Sequence, residues 1–182
     1  MIITNEYTNN NIINPNSIVK LIGSRDQNTL EDFYLKLEND LGCTYMFYIY
    51  EDMIRDRKII YTSNWDWQHR LIGEKLINEC PIFKAGSEAL SSGNGSIILP
   101  WNNILCKTSL EKEITLFRSE FNIANGIGIS HANGIIREGI GLGADIHDYN
   151  FYLRLLENNL IYKILKKART LALQNIVYPI IH

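Results

Sequence analysis

The segment 43–50, CTYMFYIY, constrains the fold more than any other stretch of the chain. It is too short for a buried helix and rich in aromatic residues, so it reads as a strand. On a strand, Tyr45, Phe47 and Ile49 point one way and Met46, Tyr48 and Tyr50 the other. Both faces are apolar or aromatic, so the sheet that contains this strand must be covered on both sides. A charged turn over 51–57 and a second strand over 58–63 follow, and the two strands read as a hairpin.

The remaining elements supply the cover. A helix is predicted over 28–41, opened by a capping box of Asn28 and Glu31 and carrying the stripe Leu30, Phe33, Tyr34, Leu37 and Leu41, with Gly42 to stop it. A second helix spans 65–78 with Trp67, Leu71, Leu76 and Ile77 inward, and Pro81 interrupts it. A short helix over 82–90 runs into SSGNGS, read as a loop, and 97–101 is a short apolar segment before a turn. Thr108 and Glu111 form a second capping box for a helix with the stripe Leu110, Ile114, Phe117 and Phe121. Strands at 126–130 and 139–143 flank the turn Ala132-Asn133-Gly134 and read as another hairpin. A final long helix over 148–173 buries Leu156, Leu160, Ile164, Ala168 and Leu171. Its Lys163, Lys166, Lys167 and Arg169 suit the C-terminal end of the helix dipole and a solvated face rather than DNA. Two hairpins interleaved with helices predict an α/β (α+β) fold, an α-β-α sandwich with a mainly antiparallel central sheet.

Composition narrows the function. With 182 residues, 46% hydrophobic and a net charge of −2, the chain fits one domain with a full core and lacks the basic footprint of a nucleic-acid binder. Cys43, Cys80 and Cys106 are odd in number and have no CxxC spacing, which points to a reducing cytoplasm rather than a disulfide framework or zinc knuckle. The sequence predicts no signal peptide and no membrane span. Residues 1–15 read as a flexible arm, 16–175 as the folded domain, and 176–182 as a tail or the start of a linker.

No motif for nucleophilic, metal or nucleotide chemistry is present. Asp145, His147 and Asp148 could be drawn as a metal site, but adjacent loop residues before a helix also make a turn and an N-cap. Cys80 has no neighbouring base and reads as a buried thiol. The glycines of GIGLGAD serve either close approach to something small or a strand packed tightly under a helix. Trp67 and Trp101 each carry an indole N–H that needs an acceptor when buried, and either core packing or a ligand could account for them.

Several stretches together resemble a known family. YTSNWDWQHRLIGEKLINECPIF over 61–83, the LPWNNI segment around Trp101, and FNIANGIGISHANGIIREGIGLGAD over 121–145 resemble, in that order, the autoinducer-binding domain of LuxR-type quorum-sensing regulators. The resemblance spans roughly 29–173. It implies a five-stranded antiparallel sheet in a PAS- or GAF-like sandwich that encloses an acyl-homoserine lactone or an analogue. Carried over, Trp67 would donate to the ligand carbonyl and Trp101 would wall its ring. Phe47 and Ile49 would line the acyl chain, and Tyr61 or Ser63 would lie near the pocket mouth. Three positions depart from the family pattern: Cys80 stands for its Asp, Leu71 for its Tyr, and Gly141 for a frequent Ser or Thr. Without the carboxylate, the ligand amide N–H would lose its acceptor at a cost of about 1–3 kcal/mol, so a less polar or differently arranged signal is expected.

The resemblance further implies no cofactor, no catalysis, homodimers or heterodimers with a related regulator, and DNA contact only through a helix-turn-helix module that these residues do not include. The competing readings are a ligand-free interaction protein that modulates full-length regulators, and a GAF- or PAS-like sensor of another metabolite. An enclosed hollow beside Trp67 and Trp101 would favour the sensor, and a filled core with an exposed apolar face the interaction protein.

Overall fold

Alternation of side chains builds one sheet with two different faces. The computed structural model describes residues 2–3, 29–91 and 94–174. The strands are β1 (Ile2–Ile3), β2 (Cys43–Asp52), β3 (Arg57–Thr62), β4 (Asn94–Pro100), β5 (Asn125–Asn133) and β6 (Ile136–Ala144). They lie in the order β1-β3-β2-β6-β5-β4, and every neighbouring pair is antiparallel. The five longer strands form the expected five-stranded sheet, and the two residues of β1 extend it at the β3 edge. The predicted arm at 1–15, apart from that pair, and the tail at 176–182 lie outside the described residues.

One face carries Met46, Tyr48, Ile59, Tyr61, Ile127, Ile129, Ile140 and Leu142, all fully or nearly fully buried. Helices α1 (Leu30–Leu41), α5 (Phe151–Leu156) and α6 (Leu160–Gln174) cover it with Leu30, Leu37, Phe151, Leu155, Ile161 and Ile164. The opposite face is covered by α2 (Trp65–Gly73), α3 (Pro81–Ser91) and α4 (Ser109–Glu120), so the molecule is an α-β-α sandwich.

Local chemistry explains where the elements differ from the sequence expectation. The capping box of α1 is Thr29 with Asp32, not Asn28 with Glu31: Asp32 N donates to Thr29 Oγ1, and Thr29 N to Asp32 Oδ2, each at 3.1 Å. Asn28 lies outside the described residues. Glu31 instead accepts the Tyr61 hydroxyl at 2.8 Å. Gly42 closes α1 at φ 70°, as read.

The helix expected over 65–78 ends at Gly73, because Lys75 turns to φ 58°, and the chain resumes as a 3-10 turn at Ile77–Glu79. Asn94, Gly95 and Ser96, read as loop, belong to β4, where pairing with β5 overrides their weak strand propensity. The long last helix is broken: Asn158 and Asn159 sit at φ 52° and 56°, conformations that asparagine tolerates. The break rotates the apolar stripe, so Leu156 is exposed, Leu160 is half-buried, and Ile161, Leu165 and Ala172 join the core. On α4, Leu110 is also exposed, and Glu111 and Arg118 are buried beside Ile114.

Arg169, grouped with the solvated lysines by sequence, has a different role. Its guanidinium pairs with Glu138 of β6, Nε donating to Oε2 at 2.8 Å, while the Tyr48 hydroxyl donates to Glu138 Oε1. Glu138 is fully buried. An unpaired carboxylate there would be costly. Arg169→Met should therefore destabilise the fold by about 2–3 kcal/mol, less than a fully buried pair because the arginine is partly exposed. Thermal melts should show a fall of roughly 5–10 °C. Adding Glu138→Gln should recover much of that loss, since the stranded charge is gone, and no recovery would exclude a charge-based role.

Candidate ligand-binding cavity

The second face of the sheet is hollow because two of its strands present almost no side chains to it. The alternating sequences GIGIS in β5 and GIGLG in β6 place Gly126, Gly128, Ser130, Gly139, Gly141 and Gly143 on this face. The register pairs Gly126 with Gly143, Gly128 with Gly141, and Ser130 with Gly139. Neighbouring β2 contributes Tyr45, Phe47 and Ile49 as a wall, with Phe47 opposite Gly141 and Ile49 opposite Gly139.

The indole of Trp101 lies flat on this bare surface. Pro100 ends β4, and Trp101 begins a one-turn 3-10 helix that folds back over β5 and β6. A Cβ on Gly126 would fall 2.2 Å from Trp101 Cε3, and one on Gly143 would fall 3.0 Å from Trp101 Cζ3. Both close approaches therefore require glycine. Of the two readings left open for GIGLGAD, close approach holds, and what approaches is an indole of the same chain. Trp101 is 5% exposed, and its Nε1 has no hydrogen-bond partner among the described residues.

The roof is built from short helices that must be aimed individually. Asn64 caps α2 by accepting the backbone N–H of Trp67 at 2.9 Å, which fixes Trp67, Gln68 and Leu71 toward the sheet. The Trp67 ring packs against Phe121 at 5.6 Å between centroids. Cys80 precedes α3, and burial pushes its thiol up, so it stays protonated at neutral pH. At the start of α4, Glu111 accepts from the backbone N–H groups of Lys107 and Thr108 and from Lys84 Nζ at 3.0 Å. Lys84 also reaches Glu79 at 2.8 Å, so this clamp ties α3, α4 and the 3-10 turn together.

Between roof and sheet lies a cavity of about 430 Å³, within the range of small-molecule sites. It runs from Tyr45, Trp67, Cys80 and Trp101 past Phe47 and Ile49 to the β2–β3 turn. From Tyr45 to Glu51 along β2 that is roughly 20 Å at strand rise. At the turn end the lining is charged and mixed: Glu51, Asp52, Asp56, Arg57, Lys58 and Arg137.

The structure brings Trp67, Trp101, Cys80, Leu71, Phe47, Ile49 and Gly141 together on this cavity. Tyr61 is the exception. It pairs opposite Tyr48, so strand alternation sends it to the filled face, where it is fully buried. Ser63 is likewise away from the mouth, its Oγ accepting Met46 N at 2.8 Å. On β3, Thr62, Ile60 and Lys58 stand opposite Phe47, Ile49 and Glu51 on the cavity side of the sheet, and Lys58 lines the cavity. In the loop before α5, Asp145 Oδ1 accepts His147 N at 2.8 Å and Asp148 pairs with Arg154, a turn held by its own side chains.

Sequence reading missed the charged residues of the turn end and, nearer the tryptophans, the buried polar residues Gln68, Ser130 and Arg118. Arg118 had a signal, a cation one turn after Ile114 on the inward stripe of α4. It is 7% exposed, with its guanidinium carbon 5.0 Å from the Trp101 ring centroid. One guanidinium nitrogen donates to Ala124 O at 3.2 Å, and Nε has no partner among the described residues. Desolvation weakens its charged form, with Cys80, Cys106 and Tyr45 the titratable groups around it.

The fold is that of the autoinducer-binding domains of LuxR-type regulators. The N-acylhomoserine lactone-dependent LuxR family transcription factor CepR2 of Burkholderia cenocepacia superposes with a TM-score of 0.54 at 14% identity, over 79% of this chain and 84% of that one. Escherichia coli SdiA gives 0.52 at 16% identity, over 83% of this chain and 65% of its own length, and the VqsR ligand-binding domain of Pseudomonas aeruginosa gives 0.50 at 10% identity over 77% and 85%. No protein-family model and no curated protein matches the sequence.

Two outcomes test this geometry. Gly126→Ala should displace the indole and destabilise the fold by about 1–3 kcal/mol, as overpacking does, with a changed tryptophan emission. Gly128→Ala, whose Cβ would meet neighbours only at 3.5 Å or beyond, should leave the melt nearly unchanged. The second outcome concerns Glu111, whose carboxyl is held below its ordinary value of 4.5, first by the Lys84 hydrogen bond and then by Lys107 N–H. Its stabilising contribution is complete above that ordinary value and is lost as pH falls through the lowered one. The advantage of wild type over Glu111→Gln should be constant near neutrality and shrink below about pH 4.5 in melts taken across that range.

Proposed function

We propose that this chain is the small-molecule-sensing domain of a LuxR-type regulator, binding an amphiphilic signal in the cavity between Trp67 and Trp101. One observation carries the reading: a hollow of about 430 Å³ with a buried indole N–H that lacks an acceptor among the described residues. A buried donor without a partner costs about 1–3 kcal/mol, and a ligand acceptor would remove that cost. A buried unpartnered donor belongs to Trp101, so it can share the carbonyl-binding role with Trp67, whose ring is braced by Phe121.

The site binds its ligand and does not transform it. Burial pushes Tyr45 and Cys80 up, so neither offers a base at neutral pH. The lining carboxylates lie at the far turn. The regulator would work in the cytoplasm as a homodimer or a heterodimer with a related protein, and reach DNA through an attached module. No helix among the described residues is long and apolar enough to cross a membrane. A ligand-free interaction protein would fill this face with side chains, so the hollow favours sensing.

Protein isolated from its source cell should carry a bound small molecule in native mass spectrometry. At about a hundredfold over Kd the restored ligand should add close to 3 kcal/mol, a rise of roughly 5–10 °C in Tm. Trp101→Phe, which keeps the ring and removes the N–H, should weaken binding about three- to tenfold. Ordinary acyl-homoserine lactones should bind weakly, because Cys80 offers their amide no carboxylate. An empty cavity in native protein, with no thermal response to a metabolite extract, would overturn the sensing role.

A further inference from the structure

The donors at the tryptophan end of the cavity are out of balance. Arg118 is buried, its Nε has no partner, and no carboxylate pairs with it among the described residues. The groups that face it are Tyr45, Cys80, Cys106, the Trp101 ring and the carbonyl of Ala124. Stacking on Trp101 satisfies the face of the guanidinium but none of its edge N–H groups. Beside it, the indole N–H of Trp101 is a second unpartnered donor. A buried charge normally has a paired counter-charge. At the other end, Arg57, Lys58 and Arg137 share the lining with Glu51, Asp52 and Asp56, so the uncompensated charge is at the tryptophan end alone.

We propose that this end of the cavity binds the carboxylate head of a monoanionic amphiphile, whose apolar tail runs along Phe47 and Ile49. This rests on the signal-binding reading and names the ligand class within it. One guanidinium provides one positive charge, which matches a carboxylate rather than a doubly charged phosphate. A planar carboxylate can accept from guanidinium and indole N–H groups together. The lining from Tyr45 through Phe47 to Ile49, roughly 13 Å at strand rise, suits a chain rather than a compact ring.

The test compares decanoate, methyl decanoate and N-decanoyl-homoserine lactone below their aggregation limits, by tryptophan fluorescence titration and thermal shift. Decanoate should bind about tenfold or more tightly than the ester and the lactone, the usual worth of a charged hydrogen bond. Arg118→Met should abolish that preference while keeping ester binding, and without ligand should melt no lower than wild type because an unpaired buried charge is gone. Arg118→Lys, which keeps the charge, should retain the preference and covers the case in which the methionine variant fails to fold. Equal binding of all three probes, or decanoate binding indifferent to Arg118→Met, overturns the anion assignment and leaves the sensing role standing. If none of the three binds and native protein is empty, the signal-binding reading fails and this inference fails with it.

Discussion

Two facing strands with glycine at alternate positions are the constraint on which the site depends. In β5 and β6 the odd–even alternation separates GIGIS and GIGLG into a bare face and an Ile/Leu face. The Ile/Leu face packs Ile127, Ile129, Ile140 and Leu142 under α5 and α6 and holds the sheet in place. The bare face lowers the sheet surface by a side-chain layer relative to β2, where Tyr45, Phe47 and Ile49 stand up as a wall. The indole of Trp101 occupies one part of that step, and the cavity occupies the rest. Glycine weakens a strand interior. These strands can carry it because they are flanked on both sides by hydrogen-bonded neighbours, β2 and β4.

Much of this was legible in the residues. The two-faced aromatic strand, both hairpins, the capping box at Thr108 and Glu111, and the tryptophan pair were readable because each is fixed by period, spacing or cap chemistry over a few residues. Tyr61 was misplaced because the hairpin register, set by Tyr48 opposite Tyr61, decides which β3 face meets the roof, and a one-residue slip exchanges the faces. The break at Asn158 and Asn159 went unread because nothing local distinguishes two asparagines that adopt positive φ from two on a helix surface. Strand β4 was hidden for a related reason: Asn94, Gly95 and Ser96 gain strand geometry only from β5. Arg118 and Arg169 were unreadable as partners because each acts across elements distant in sequence, one on Trp101 and the other on Glu138.

The roof differs from the floor in how it is held. Helices α2 and α3 are separated by a left-handed residue at Lys75 and a 3-10 turn, so neither continues the other. Lys84 ties α3 and the 3-10 turn to α4 by reaching Glu79 and Glu111 together, while α2 meets α4 through Arg70, which lies over Phe117 and near Glu120. The floor is locked by continuous ladders and a filled core.

The two faces of the sheet also treat their arginines in opposite ways. On the filled face, Arg169 meets Glu138 through Nε and Nη2, and the remaining carboxylate oxygen takes the Tyr48 hydroxyl. On the hollow face, Arg118 is more deeply buried than Arg169, yet it has one carbonyl and an aromatic ring for company. The same fold can therefore compensate a guanidinium with its own buried carboxylate on the face that is filled. Where it leaves the guanidinium and the adjacent indole N–H open, it also leaves room, and no acceptor among the described residues completes either.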